Sequence, residues 1–151
     1  MATFAILFTV IGGIMLNSQA AVNGTLGRNI GVIEASFISF FTGTGFLAIL
    51  VLFFGQGDLL AIFDAPKWQL SAVFCGTLYV LFSVFAVPKI GVAATSILVI
   101  SGQLFMGLII DHFGMFNGAV IPIDSNRRLA IFFMALALFF VYKGNKRGIQ
   151  E

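Results

Sequence analysis

Four side chains that could do chemistry sit where apolar residues would be expected. Asn17, Gln19 and Asn23 fall within one long uncharged stretch, and Gln103 falls within another. Gln19 and Asn23 are four apart, so on a helix they share a face. Gln103, Gly107 and Asp111 also recur every fourth residue, forming one polar and small stripe. Amides neither titrate near neutral pH nor attack as nucleophiles; what they offer is directed hydrogen bonding. Two readings stay open for Asn17, Gln19 and Gln103: hydrogen bonds that hold helices together, or contacts to a bound solute.

The acids divide by position. Asp111 closes an apolar stretch at the end where a helix dipole disfavours a carboxylate. Arg127 and Arg128 could offset this by a salt bridge; a proton- or cation-handling carboxylate is the other reading, with His112 as its titrating neighbour. Glu34 starts a stretch, the favourable end for an acid, and reads first as a helix-start residue. Asp58 and Asp64 read as loop solvation. There is no catalytic triad, no metal-ligand cluster and no phosphate-binding loop, and the only His and the only Cys, His112 and Cys75, fall in different segments. An enzyme, a cofactor and a nucleic-acid partner are therefore not expected. Lone Cys75 has no disulfide partner within the chain.

The elements that must position these groups follow from composition. The chain has 151 residues, 60% hydrophobic and 9% charged, with a mean hydropathy of +1.08. A soluble domain carries about 25% charged residues, so this chain could not cover a water-facing surface; a bilayer is its natural solvent. The uncharged stretches Met1–Gly27, Ala35–Gly57, Trp68–Pro88 and Ile90–Ile110 each meet the need of about 20 apolar residues for a span. Leu129–Tyr142 is shorter. It covers roughly 21 Å of a core of about 30 Å and spans if Arg128 and Lys143 snorkel outward. The expectation is one all-α transmembrane domain over residues 1–151, with helices at about 3–24, 35–55, 68–88, 91–111 and 127–145. The first stretch lacks a positive leading region and is too long for a cleaved signal peptide, so it reads as a retained helix.

Asn17 lies about 16 Å from Arg28 along a helix, and Gln103 about 21 Å from Lys89, which puts both at middle depth. "RNIGVIE" and "PKIG" read as short connections, Gly55–Lys67 as an interfacial one, and Asp111–Arg128 as the longest, hugging the membrane or dipping into it. No internal repeat stands out. Ala35, Ser39 and Gly43, and likewise Ala72 and Gly76, form small-residue faces suited to close helix packing. Five spans put the termini on opposite sides. Lys67, Arg127 and Arg128 lie on the N-terminal side, against Arg28, Lys89, Lys143, Lys146 and Arg147 on the other. Positive charge favours the cytoplasm, so the N-terminus is expected outside and the C-terminus inside.

The pieces "GGIMLNSQAAVNGTLGRNIG", "ASFISFFTGTG" and "PKIGVAATSILVISGQLFMGLIIDHFG" resemble the YdcZ-like five-helix branch of the bacterial drug/metabolite transporter superfamily. The similarity runs from about Ile11 to Arg147, and the Gln103–Asp111–Gly114 pattern is its most specific part. The resemblance implies a multi-pass protein of the bacterial inner membrane and half of a ten-helix, inverted-repeat transporter. It brings no catalytic role. The related small multidrug resistance proteins carry a membrane-embedded glutamate in their first helix. The first helix here has no acid, so their proton-for-drug exchange does not carry over. Coupling, if present, would fall to Asp111, Glu34 or another route. One copy has too few helices to enclose a gated path, so a dimer is expected: a homodimer, which could be antiparallel, or a heterodimer with a homologous half. The 19 Phe and one Trp suit an apolar or aromatic small-molecule solute. A non-transporting membrane scaffold or regulatory subunit, and a channel, are the alternatives.

Overall fold

The computed structural model describes residues 2–148. Among them are five long helices and no strand: α1 (Ala2–Ile30), α2 (Val32–Phe54), α3 (Ala72–Ile90), α4 (Val92–Phe113) and α5 (Ser125–Gly148). Each is long and apolar enough to cross a membrane, the third when the 3₁₀ turn at Lys67–Ser71 is counted with it. α5 gains its length at both polar ends, taking in Arg127 as well as Arg128 and Lys143, the two residues expected to snorkel. Large apolar side chains point outward all along these helices: Phe41 is 69% exposed and Leu52 82%. In water such a surface would drive aggregation; in hydrocarbon it is ordinary solvation.

The chain forms two compact units, Met1–Lys89 and Ile90–Glu151. In the first, α1 and α2 meet at one residue. Gly31 has φ 106° and ψ 151°, a backbone state that an L side chain rarely adopts. One such glycine ends a helix and starts the next, so "RNIGVIE" is mostly helical rather than a connection. Gly91 plays the same part between α3 and α4, with φ 83° and ψ 162°. Pro88 and Lys89 of "PKIG" consequently belong to the last turn of α3.

These two junctions expose a repeat that hydropathy alone hides. Ile30-Gly31-Val32 recurs as Ile90-Gly91-Val92, an offset of 60, the same spacing as between Arg28 and Pro88. Buried positions recur at that offset too: Asn23 with Ser83, Gly24 with Val84, Gly27 with Val87, Ala35 with Thr95. Within the first unit the C-terminal halves of α1 and α3 pack directly. A Cβ added to Gly24 or to Gly27 would lie 2.5 Å from Val87 Cγ1 or Val84 Cγ1 respectively, and Ala35 of α2 lies 3.8 Å from the latter Cβ position. Arg28 Nη2 donates to Pro88 O at 3.0 Å, satisfying a carbonyl in the last turn of α3, where the dipole favours a cation.

The Gly55–Lys67 connection holds a 3₁₀ turn at Leu59–Phe63, started by Asp58, whose side chain accepts from Leu60 N at 2.8 Å. Its apolar side chains Leu59, Leu60 and Phe63 are well exposed.

In the second unit α4 ends on Gly114 in the left-handed conformation. The following segment is tied back where Ile121 N donates to Asp111 O at 2.8 Å. Asp124 then caps α5, accepting from Arg127 N at 2.9 Å.

Candidate functional site

The site begins with how hydroxyls are spent inside the helices. Thr9, Ser18, Thr25, Ser36, Thr42 and Thr77 each donate to the carbonyl four residues back. A hydroxyl bonded in this way is neutralised locally. Within α1, α2 and α3 two serines depart from the rule. Ser39 of α2 donates instead to Asn23 Oδ1 at 2.7 Å. Ser83 of α3 is buried, yet its hydroxyl takes no described partner.

Asn23 and Ser83 form the deep end of a cleft between α1 and α3, lined also by Leu16, Gln19, Ala20 and Tyr79. Asn23 is 7% exposed. Its Oδ1 is taken by Ser39, which leaves Nδ2 for the cleft. Among the described residues no sealed side-chain nitrogen or oxygen lacks a partner. The free Nδ2 and Ser83 Oγ are therefore not sealed in apolar packing, and both residues line the cleft. The free space is about 10 Å³, room for about one water. Gln19 lies at the exposed mouth. Gln19 and Tyr79 each precede their helix-ending Ile30 or Ile90 by about 16 Å, near the middle of a span. No charged side chain lines the cleft.

In the same unit, between α2 and α3, runs a groove of about 220 Å³ bounded by Ile33, Ser36, Phe37, Phe40, Thr77 and Leu81. Ser36 and Thr77 spend their hydroxyls on their own helices, so this groove is apolar in effect.

Of the residues singled out in the sequence, the cleft unites Gln19 and Asn23. Asn17 lies on α1 but on its exposed side, outside the lining. Glu34 sits in the first turn of α2, and its carboxylate folds against Gly31. Gln103 and Asp111 belong to the second unit. Gln103 is exposed on α4 and takes no hydrogen bond among the described residues. Tyr79, Ser83 and Ser39 join the site without having been predicted for it. The available signal was the offset of 60, which pairs Tyr79 with Gln19 and Ser83 with Asn23.

Asp111 Oδ2 pairs with Arg127 Nη1 at 3.0 Å, while Arg128 turns to Ser125 Oγ. The two side chains of the pair are 43% and 27% exposed, so solvent screens them. Asp111→Asn and Arg127→Gln should each lower stability by about 0.2–1 kcal/mol, and together by less than the sum. Unfolding in mixed micelles reads this directly. Additive losses would mean that the two side chains do not act as a pair.

A family model described as "Putative inner membrane exporter, YdcZ" matches residues 4–140. No curated protein and no solved structure matches the chain. The matched stretch holds the α1–α3 cleft and both glycine junctions and reaches well into the fifth spanning helix, and on that coverage the chain belongs to the YdcZ-like inner membrane exporter family.

Proposed function

We propose that the protein exports a small, largely apolar or aromatic solute across the inner membrane, and that the α1–α3 cleft is where the solute is held. The observation that carries this reading is the unspent hydrogen-bonding capacity of Asn23 and Ser83 at the depth of a span. Polar groups are costly in hydrocarbon unless a partner meets them. An occupant that comes and goes would meet these two only part of the time. The α2–α3 groove with Phe37 and Phe40 supports an apolar or aromatic body for that occupant.

The working form is a dimer, either two copies of this chain, antiparallel included, or this chain with a homologous half. Gln103 supports it: its exposed amide on α4 gains from a second chain that meets its donors and acceptor. Ten helices then enclose a path as inverted repeats do, with the site near midplane. Proteoliposomes loaded with the small-molecule pool of a bacterial extract test the transport reading. Protein-dependent, saturable loss of particular compounds, read by mass spectrometry, supports a carrier. Absence of any such loss, with the protein inserted and dimeric, supports a scaffold.

Charge sets the orientation. If the spans alternate, Arg28 and Lys89 fall on one side, and Lys67, Arg127 and Arg128 on the other. With Lys143, Lys146 and Arg147 added to the former, the C-terminus should lie in the cytoplasm. A C-terminal reporter that is active only in the cytoplasm should be active; a solely external C-terminus contradicts the assignment.

A further inference from the structure

We propose that the α1–α3 cleft takes the uncharged, hydrogen-bond-accepting end of its solute, a carbonyl-type oxygen, and that Ser39 sets this preference by holding Asn23 with Nδ2 toward the cleft. This rests on the transport reading for the solute being cargo, although the binding chemistry stands on the side chains alone.

Three features select that chemistry. The first is charge. The lining holds no acid and no base. The nearest cation along α1, Arg28, is pinned on Pro88 O and lies about 7 Å further along the helix axis than Asn23. An ammonium or a carboxylate drawn into the deep end would lose its hydration with no opposite charge to replace it.

The second is direction. An asparagine amide can present either its oxygen or its nitrogen. Here Ser39, on a different helix, donates to Oδ1 at 2.7 Å, which leaves the two-donor nitrogen without a protein partner on a residue that lines the cleft. Ser83 has a hydroxyl proton to give, because it is not spent on its own helix. Tyr79 brings a phenol to the same lining. A ligand atom that accepts two or three hydrogen bonds completes this set. A donor-only group leaves Nδ2 unmet and finds one lone pair of Oδ1 already engaged.

The third is size. About 10 Å³ accommodates roughly one oxygen atom. A carboxylate brings two oxygens, and a quaternary ammonium brings four carbons around its nitrogen. A carbonyl oxygen enters alone, with the rest of the molecule lying toward exposed Gln19 and Leu16.

The test uses the purified full-length protein in nanodiscs with acetophenone carrying an isotope-labelled carbonyl. Ethylbenzene and benzyltrimethylammonium serve as uncharged and cationic counterparts of similar girth. The expected result is saturable acetophenone binding with the carbonyl stretch moved to lower wavenumber than in protein-free nanodiscs. Asn23→Leu should weaken binding by about tenfold or more, the value of one well-made hydrogen bond. Ser83→Ala should weaken it less. Ser39→Ala should shrink the preference for acetophenone over ethylbenzene, because the amide is then free to turn. An unshifted carbonyl stretch in the wild-type protein overturns the proposal, and so does benzyltrimethylammonium displacing acetophenone. The wild-type spectrum needs no variant, so the decision survives a misfolded Asn23→Leu. Liposome flux with an unshifted carbonyl stretch would sink this inference and leave the transport reading standing. A shifted, Asn23-dependent stretch without any flux would do the reverse.

Discussion

Gly27→Ala should loosen the α1–α3 packing by about 1–3 kcal/mol, and Val84→Ala should restore most of that loss. The added methyl carbon would lie 2.5 Å from Val84 Cγ1 and in contact with Ala35 Cβ at 3.8 Å. Val84 is fully buried and β-branched, so it has neither space nor a free rotamer to retreat into. Replacing Val84 by Ala removes the clashing carbon, so the double variant should be more stable than Gly27→Ala alone. Gly24 is a harsher case. Its Cβ would lie 2.8 Å from Val87 Cβ, an atom that no side-chain rotation moves. Equilibrium unfolding in mixed micelles measures all of these. Strict additivity of Gly27→Ala and Val84→Ala would mean that the two helices do not meet at this point.

That contact also marks how far the sequence is legible. Helix number and placement are written in charge: Arg28, Glu34, Lys67, Lys89, Asp111 and Arg127 stand near helix ends, and the spans are the long uncharged runs. Lengths at the junctions are not written there. A connection such as "RNIGVIE" looks like a loop because it holds two charges and an asparagine, yet these residues tolerate a helix end, and Gly31 alone supplies the break. The repeat was hidden for a related reason. Substitutions at the offset of 60 keep burial and change chemistry: Asn23 becomes Ser83, and Gly24 becomes Val84. Identity is kept around the glycine that must hold a positive φ, as Ile30-Gly31-Val32 and Ile90-Gly91-Val92.

For the site, the amides of Gln19 and Asn23 stand out because an amide in a span always needs a partner. Ser83 does not stand out, since most serines and threonines here bond to their own helix. Its distinction is a hydrogen bond it does not make, which only coordinates reveal. Ser39 was legible as a small residue for packing. Its role in turning the Asn23 amide requires knowing that α2 lies against α1 at that height.

Asn23→Leu should reduce solute transport by about tenfold or more while leaving insertion intact. Leucine keeps asparagine's branching and number of side-chain heavy atoms and keeps the helix, so the change removes the cleft donor and the bond to Ser39. The latter contributes about 0.6–2 kcal/mol between membrane helices, a loss that a folded protein can bear. The former acts on bound solute, where one hydrogen bond of about 1.4 kcal/mol corresponds to a factor of ten. Thr25→Val provides the contrast. Thr25 is on the same helix, exposed, and bonds only to Ala21 O at 3.1 Å. It lies outside the cleft lining, and its replacement should leave flux unchanged. Initial rates in proteoliposomes at matched protein incorporation make the comparison. Equal rates for Asn23→Leu and the wild type would remove Asn23 from the path.

The central claim is that water and solute reach the α1–α3 cleft although it lies at the middle of two membrane-spanning helices. Thiol labelling in sealed vesicles asks this without knowledge of the substrate. Cys75, exposed and free, is first replaced by Ala. Single cysteines are then placed at Gln19, at Tyr79 and, as a reference, at Phe41, which is 69% exposed near the middle of α2. A thiol reacts with maleimide as its thiolate, which forms in water and not in hydrocarbon. A membrane-impermeant maleimide should therefore modify Gln19→Cys and Tyr79→Cys and leave Phe41→Cys unmodified. Inert thiols at both cleft positions, in a protein whose folding is verified by unchanged elution and thermal unfolding in micelles, would show a cleft filled by lipid and contradict the account.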